Sequence, residues 1–390
     1  MPWKECSKMN EKMKFIARYL EGERVSDLCR EFEISRKTGY KFIERYKTQG
    51  IQGLIEKPRV ALSHPHKTTD AVIAVILEIK TKYPTWGAAK IKEYISKRYS
   101  GTTAPAKSTI HRILEQNNLV TKKKRRGPRS VGTMLDQSSA PNDIWATDFK
   151  GQFKLGNNKY CYPLTLTDHF SRFLIACEGF DSISEKECFY TFERAFRDYG
   201  LPNKMRSDNG VPFSSKNYFG LSSLSVWWLR LGIQLERIKP GNPQENGRHE
   251  RMHRTLKKCT TNPPAKNALQ QQEQFDEFIR IYNEERPHEG LNMRTPSDLY
   301  KKSIKLYPEV LEDLSYEECD NEYRVSKCGS IGLPGRRRIF VGTPFKDQIL
   351  GVKQIDEEIF EIYFMSYKMG FIDDESDKLN PINSAFWETR

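Results

Sequence analysis

The pattern of apolar positions divides the chain into a helical N-terminal third and a strand-rich remainder. Apolar residues between Phe15 and Leu20 recur at helical spacing, and a second short helix is predicted from Ser26. A third begins after Ser35, whose hydroxyl is a suitable N-cap. Residues 1–60 are therefore predicted to form a bundle of three short helices.

The third predicted helix is basic on its outer side. Phe42, Ile43 and Tyr46 form its apolar side. The outward residues are Arg36, Lys37, Tyr40 and Lys41. Two short helices joined by a tight turn, with the second helix basic, are typical of a helix-turn-helix, whose second helix enters the major groove of DNA. Gly39 inside this helix costs about 1 kcal/mol, so a plain helical bundle with a solvated basic face stays open as an alternative.

Residues 66–121 predict a second helical unit, which we interpret as a winged-helix-like DNA-binding domain, with Ser108 as the cap of its last helix. A run of positively charged residues follows, and we assign residues 122–139 to a basic linker. Its function would be to neutralise DNA phosphates, which makes binding salt dependent. The residues assigned to this task are Lys122, Lys123, Lys124, Arg125 and Arg126.

Beyond residue 140 the pattern changes to alternating β-branched and aromatic residues. The predicted order is three strands, a helix, a strand, a helix, a strand and a helix, which is the RNase H-like arrangement of a mixed sheet flanked by helices. We assign residues 140–302 to this core. Short alternating segments over residues 316–373 predict a small β-barrel. The chain is thus predicted to be a multidomain protein with α and α/β parts.

Charge is distributed unevenly along the 390 residues. The whole chain carries a net charge of +13, but residues 1–130 hold 29 basic and 13 acidic residues, a net +16, and the remainder is at −3. This asymmetry indicates a polyanion-binding arm. The eight cysteines show no paired spacing, which favours reduced thiols in a cytosolic protein. We predict neither a secretion signal nor a membrane span.

Three acidic residues stand at related places of the predicted core. Asp148 lies in the first strand, Asp208 follows the fourth, and Glu250 lies on the helix after the last strand. If the first and fourth strands are neighbours, the three carboxylates converge, and their repulsion requires a cation. Carboxylate oxygens suit Mg²⁺ or Mn²⁺. Two such ions would support in-line phosphodiester displacement.

Several motifs together resemble the integrase-core transposases of bacterial insertion sequences, relatives of retroviral integrases. They are "WATDFKG", "SDNGVPF", "GNPQENGRHERMHRTLK", "YNEERPHEGL" and "TPSDL". The resemblance implies a DDE triad at Asp148, Asp208 and Glu250, although the 41 residues between the last two exceed the usual spacing. By its place in the motif, Asn246 would position substrate. Arg254 and Lys257 would face the DNA.

The resemblance also implies an activity and partners. The protein would bind the terminal inverted repeats of its element as double-stranded DNA. It would cut the DNA by attack of water on a phosphodiester, and the freed 3′-hydroxyl would then attack a phosphodiester of target DNA, which joins the two strands and breaks the target strand. Joining two ends implies a homo-dimer or a higher assembly. The implied location is the bacterial cytosol, in association with the nucleoid.

Three further functions stay open from the residues alone. His249, Glu250 and His253 match the HExxH pattern of zinc peptidases, for which Glu273 and Glu277 are candidate third ligands. The surrounding basic residues favour phosphates over Zn²⁺. The second function is that of a DNA-binding regulator with a silent core, and the third is that of an integrase of phage or retroelement type.

Overall fold

The computed structural model describes most of the chain in two compact units, Met1–Thr69 and Asp70–Arg390. The described residues are 8–56, 68–99, 101, 103–120, 135, 137–215, 217–238, 243–335, 338–356, 359–372 and 378–382. The predicted phosphate-neutralising run at residues 122–126 lies outside them. The proposed domain boundaries stay predictions.

The first unit contains the predicted three helices. They are α1 Lys8–Leu20, α2 Val25–Glu31 and α3 Arg36–Gln49, followed by a short 3₁₀ helix at Gly50–Leu54. The Ser35 hydroxyl accepts a hydrogen bond from the Thr38 amide at 3.1 Å, so it caps α3 as predicted. The turn between α2 and α3 contains Glu33 with a φ of 53°, in the left-handed region where glycine is the usual residue.

Gly39 is required by the packing of α3 against α2. A Cβ at this position would lie 2.5 Å from the Cys29 Sγ and 3.1 Å from the ring of Phe15. Both neighbours are buried in the core of this unit. The helix-propensity cost of the glycine is therefore offset by the close approach that the missing side chain permits.

Gly39→Ala is expected to destabilise the first unit by about 1–2 kcal/mol, because overpacking outweighs the gain in helix propensity. Thermal unfolding followed by circular dichroism measures this. In the double variant Gly39→Ala/Cys29→Ala the smaller neighbour leaves room for the new methyl group, and part of the stability should return. A double variant that is as unstable as the sum of its single variants would contradict the packing argument.

The second unit begins with three further helices that share one apolar core. They are α4 Asp70–Lys82, α5 Ala88–Arg98 and α6 Lys107–Gln116. The N-cap of α6 is Ala106, two residues before the predicted Ser108. Within residues 68–99, 101 and 103–120 the structure contains no strand, so no wing accompanies these helices there. Lys97 pairs with Asp298 at 3.0 Å, which ties this region to the core.

The core is the predicted mixed sheet. Its elements are β1 Ile144–Phe149, β2 Phe153–Lys154, β3 Tyr160–Asp168, β4 Leu174–Phe180, α7 Glu185–Tyr199, β5 Lys204–Ser207, α8 Ser223–Arg230, β6 Gln234–Arg237, α9 Gly247–Thr260 and α10 Ala268–Arg280. The strand order is β4-β3-β1-β5-β6, with the two-residue β2 beside the start of β3. β1 runs antiparallel to β3 and parallel to β5, and β6 is parallel to β5. The strand that carries Asp148 is thus central.

Helices cover both faces of the sheet. On one face, α7 and α8 pack on β1 and β5 through Phe192, Phe196 and Trp228. On the other, Met252 and Leu256 of α9 pack with residues of α10 and β4. This second arrangement holds the helix that carries Glu250 against the sheet.

A C-terminal β region follows. Its strands are β7 Asn321–Arg324, β8 Ser330–Gly332, β9 Arg338–Phe340, β10 Ile349–Gln354, β11 Phe360–Phe364, β12 Tyr367–Ile372 and β13 Asn380–Pro381. Five form an antiparallel sheet in the order β13-β12-β11-β10-β7, and β8 pairs with β9. No pairing closes this sheet between β7 and β13 in the described residues, so the barrel stays a prediction. Among those residues no helix has the length and apolarity to cross a membrane.

The additional residues between Asp208 and Glu250 attach the C-terminal region to the core. Phe219 and Leu221, which lie between these two acidic residues, are buried in the same apolar cluster as the C-terminal strands.

Candidate active site

The pairing of β1 with β5 brings two of the predicted acidic residues side by side. The parallel register matches Ile144 with Lys204 and Ala146 with Arg206. Continued by two residues, the same register sets Asp148 opposite Asp208. Side chains two residues apart on a strand share a face, so both carboxylates lie on the face covered by α9.

The loop after β5 fixes Asp208. The Gly210 amide donates a hydrogen bond of 3.1 Å to the Asp208 Oδ1, and a Cβ on Gly210 would lie 3.0 Å from the Oδ2. Asn209 donates from Nδ2 to the main-chain oxygen of Ile238 at 2.8 Å. The residues that follow Asp208 therefore shape the loop around its carboxylate.

The third carboxylate, Glu250, lies half-buried near the beginning of α9. Burial, together with the charges of Asp208 and Glu250, raises the pKa of Asp148 to about 7. Burial also raises the pKa of Asp208. Asp148 thus lies under the influence of both other carboxylates.

The chemistry of this set fits a divalent cation. The donors are carboxylate oxygens, and the like charges around Asp148 lack full compensation. In the part of the chain that the structure describes, however, no three His, Cys, Asp or Glu side chains are gathered closely enough to hold a metal ion. Ligation of one ion by all three carboxylates therefore requires their side chains to move closer to one another.

The two histidines of the HERMH segment face the sheet. His249 and His253 are 2% and 7% exposed. The Thr165 Oγ1 lies 2.7 Å from the Nε2 of each, and the Thr167 Oγ1 lies 2.8 Å from the His249 Nδ1. Burial lowers the pKa of His249 to about 3 and that of His253 to about 2, so both are neutral at neutral pH.

One assignment of protons satisfies these contacts. The Thr165 hydroxyl donates to the main-chain oxygen of Asp148 at 3.0 Å and accepts from the Nε2 of both histidines. The Thr167 hydroxyl then donates to the His249 Nδ1. His249 has no lone pair left for a metal, and no third ligand is grouped with it in the described residues. The zinc-peptidase interpretation of HExxH therefore does not fit, and the histidines instead attach α9 to β3.

His249→Ala and His253→Ala are each expected to lower the free energy of unfolding by about 2–3 kcal/mol, since buried hydroxyls lose their partners and a cavity forms. Strand cleavage should fall as well, because Glu250 lies on the same turn of α9. Thermal unfolding and cleavage measured in parallel test this, with Lys258→Ala, exposed on the same helix, as the control. Variants as stable and as active as the control would show that the histidines do not position the helix.

The remaining predicted site residues differ in their exposure. The side chains of α3 and α9 that were assigned to DNA are all exposed: Arg36, Lys37, Tyr40, Lys41, Arg254 and Lys257. Asn246 is buried at the N-cap of α9, and its Oδ1 has no hydrogen-bond partner in the described part of the chain. An unpaired buried oxygen at this edge of the site is unusual for a purely structural residue.

A buried polar network beside Asp208 was not predicted. Arg206 is 1% exposed, its Nε lies 2.6 Å from the Glu236 Oε2, and its Nη1 lies 3.1 Å from the His169 Nε2. Arg248 of α9 donates to the main-chain oxygen of His169 at 2.8 Å. No clear signal for it exists in the sequence, since β5 reads Lys-Met-Arg-Ser and has a single apolar residue. This network joins β5, β6 and α9 around the site.

Family models match most of the regions described above. Two models, each of an integrase core domain, match residues 138–243 and 231–296. A homeodomain-like domain model matches residues 38–114, and a helix-turn-helix domain model matches residues 11–59. The matched core contains Asp148, Asp208 and Glu250.

Curated relatives come from bacterial insertion elements. The uncharacterized 39.2 kDa protein of insertion element IS476 from Xanthomonas euvesicatoria is 25% identical over 236 residues, which are 60% of this chain and 65% of that protein. The uncharacterized 31.7 kDa protein of IS407 from Burkholderia multivorans is 25% identical over 244 residues, 61% of this chain and 83% of that protein. The alignment thus spans just under two thirds of the IS476 protein.

Solved structures with matches include the HTLV-2 integrase catalytic core domain in complex with magnesium. It is 17% identical, covers 42% of this chain and all of that chain, and has a TM-score of 0.32.

Proposed function

Because the chain belongs to the DDE integrase-core superfamily, among the transposases of bacterial insertion sequences, we propose that it binds the terminal inverted repeats of its element and catalyses DNA strand cleavage and strand transfer. The helix-turn-helix and integrase core matches support DNA binding. The observation that carries the proposal is the pairing of β1 with β5, which brings Asp148 beside Asp208, together with the charges of Asp208 and Glu250 that act on the buried Asp148.

In this proposal the three carboxylates hold Mg²⁺ or Mn²⁺. Asp148 lies under the charge of both other carboxylates, which supports its sharing between two ions. The bound ions would supply charge neutralisation and electrostatic stabilisation for in-line phosphodiester displacement. The Gly210 amide orients the Asp208 carboxylate by a hydrogen bond. The contact of His249 with Thr165 attaches α9 to β3 and thereby positions Glu250.

We propose the DNA contacts from the exposure of the basic side chains and from their positions in the fold. The outward residues of α3 would enter the major groove, as in other helix-turn-helix proteins. Arg254 and Lys257, exposed on α9, would contact backbone phosphates beside the carboxylates. The unpaired Oδ1 of Asn246 supports a role of this side chain in positioning substrate. The basic run at residues 122–126 would add sequence-independent affinity.

We infer the oligomeric state of the protein from the reaction that it would catalyse. Two element ends must be joined to one target, and each core carries one set of carboxylates, so we expect a dimer or a higher assembly on DNA. We expect the protein to act in the bacterial cytosol near the nucleoid.

The test uses a labelled duplex carrying the inverted repeats that flank the gene, with Mg²⁺ or Mn²⁺ present. We expect nicking at the repeat end that leaves a 3′-hydroxyl, followed by joining to a second duplex. Chelation with EDTA should abolish both reactions while duplex binding persists. Binding without cleavage under every metal condition would instead identify a DNA-binding regulator with a silent core.

A further inference from the structure

Large aliphatic side chains are exposed in the segment that connects the core to the C-terminal β region. We name residues 301–313, which form neither helix nor strand, the connecting segment. Within it Ile304 is 96% exposed, Leu306 is 80% exposed and Val310 is 77% exposed. Single exposed aliphatic residues are ordinary, but several of them close together are typical of an interaction surface.

The connecting segment is held on the core, so its exposed side chains have defined positions. The Ser303 amide donates a hydrogen bond of 2.8 Å to the main-chain oxygen of Tyr199. The half-buried Tyr307 stacks on Phe196 of the core, with 6.3 Å between the ring centroids. A surface that is ordered before it binds loses little conformational entropy on binding.

The charges of the connecting segment are divided about Tyr307. The three basic residues precede it and the three acidic residues follow it, and all six side chains are exposed: Lys301, Lys302, Lys305, Glu309, Glu312 and Asp313. When a second copy of the segment runs antiparallel with Tyr307 at the centre, each lysine faces an acidic residue. The facing pairs are then Lys301 with Asp313, Lys302 with Glu312 and Lys305 with Glu309.

The apolar residues follow the same symmetry. In this antiparallel arrangement Ile304 faces Val310, and Leu306, next to the centre, faces Pro308. A two-fold axis makes every such contact occur twice, which is the pattern of an isologous interface. A parallel arrangement would set like charges against one another, and a partner of uniform charge would complement only one half. The occupant that fits the whole segment is therefore a second copy of it.

Two of the acidic residues also have partners within the chain. Glu309 lies 3.3 Å from Arg197, and Asp313 lies 2.6 Å from Arg324. All four side chains are at least 46% exposed, so these pairs contribute little stability. A carboxylate that accepts from one cation keeps lone pairs for a second one. These contacts are therefore compatible with an interface between two copies.

We propose that the connecting segment is a contact between two copies of this chain, paired antiparallel about Tyr307. As the contact of the assembly that joins two element ends, it rests on the proposed function. Its thirteen residues on each side are fewer than the roughly 20–30 of a standard interface. We therefore expect a weak dimer without DNA, with a dissociation constant in the micromolar range. Two duplexes bound by the helical regions would add to this affinity.

The main test exchanges charges between the two copies. Lys302→Glu and Glu312→Lys each set like charges opposite one another at two symmetric places, so each variant alone should dimerise at least about tenfold more weakly than wild type. An equimolar mixture of the two variants has opposite charges at both places. Its association, and that of the double variant Lys302→Glu/Glu312→Lys, should return to within about threefold of wild type. Sedimentation velocity of the DNA-free full chain over micromolar concentrations measures this.

Matched controls separate the position of a side chain from its chemistry. Lys92→Glu makes the same change of charge at an exposed position of α5 and should associate like wild type. Leu306→Asp should weaken association, whereas Leu269→Asp, at a 73% exposed position of α10, should not. Because these positions are all exposed, every variant should unfold within a few degrees of wild type, so that loss of association is not loss of folding.

The outcomes separate this interface from the proposed function. A mixture that associates no better than its two components would overturn the interface and leave cleavage unaffected. The same holds for a wild type that stays monomeric at every concentration, and for a loss in Lys92→Glu as large as that in Lys302→Glu. If dimerisation depends on Lys302 and Glu312 but no metal condition gives cleavage, the interface stands and the proposed function fails.

Discussion

Glu250→Gln is expected to reduce strand cleavage by about a thousandfold or more while duplex binding stays within about twofold of wild type. The substitution keeps the size of the side chain and removes only the charge that acts on Asp148. If the three carboxylates together hold the divalent ions, loss of one charge removes the electrostatic stabilisation on which the displacement depends. Asp148→Asn and Asp208→Asn should have the same effect, and pairs of substitutions should be no worse than single ones.

The matched control is Glu273→Gln. Glu273 is exposed on α10, and in the zinc-peptidase interpretation it was a candidate ligand. Cleavage by this variant should equal that of wild type. Cleavage that survives Glu250→Gln, with purified protein free of contaminating nucleases, would refute the triad. If Glu250→Gln and Glu273→Gln lose equal amounts of cleavage activity, the activity depends on the net charge of the protein and not on the position of Glu250.

The order of elements in the core could be predicted because each strand and helix has a local signature. Alternating residues predicted β3 and β4, and the apolar spacing of Phe189, Phe192 and Phe196 predicted α7. That order allows β1 and β5 to be neighbours, and their pairing brings Asp148 beside Asp208. The triad that includes Glu250 was implied by the resemblance of the motifs and stays a prediction.

Contacts between distant segments could not be predicted in this way. The attachment of His249 and His253 to Thr165 joins residues more than 80 positions apart. The HExxH pattern by itself is compatible with imidazoles that bind a metal ion and with imidazoles that pack on a strand. Gly39 gave a misleading local signal, because helix propensity takes no account of the Cys29 sulfur packed against it.

Divalent ions are expected to stabilise the DNA-free protein at pH 8 and to have little effect at pH 5. The pKa of Asp148 in the folded protein is about 7, well above its ordinary value of 3.8. The stability associated with the protonated carboxyl is fully present below about pH 4 and is lost as the pH rises through 7, a decrease of the order of 4 kcal/mol. Ligation requires the ionised carboxylate, so ions restore the stability in the range where it has been lost.

Thermal unfolding with Mg²⁺, Mn²⁺ or EDTA across this pH range tests the expectation. At a hundredfold excess over the dissociation constant, ion binding adds about 2.7 kcal/mol, which is several degrees in unfolding temperature. Asp148→Asn should abolish both the loss of stability with rising pH and the effect of the ions. Asp198→Asn, at an exposed position of α7, should retain both. Stabilisation that is equal at pH 5 and pH 8, or that persists in Asp148→Asn, would place the ions elsewhere, because only ligation by this buried carboxylate couples ion binding to its titration.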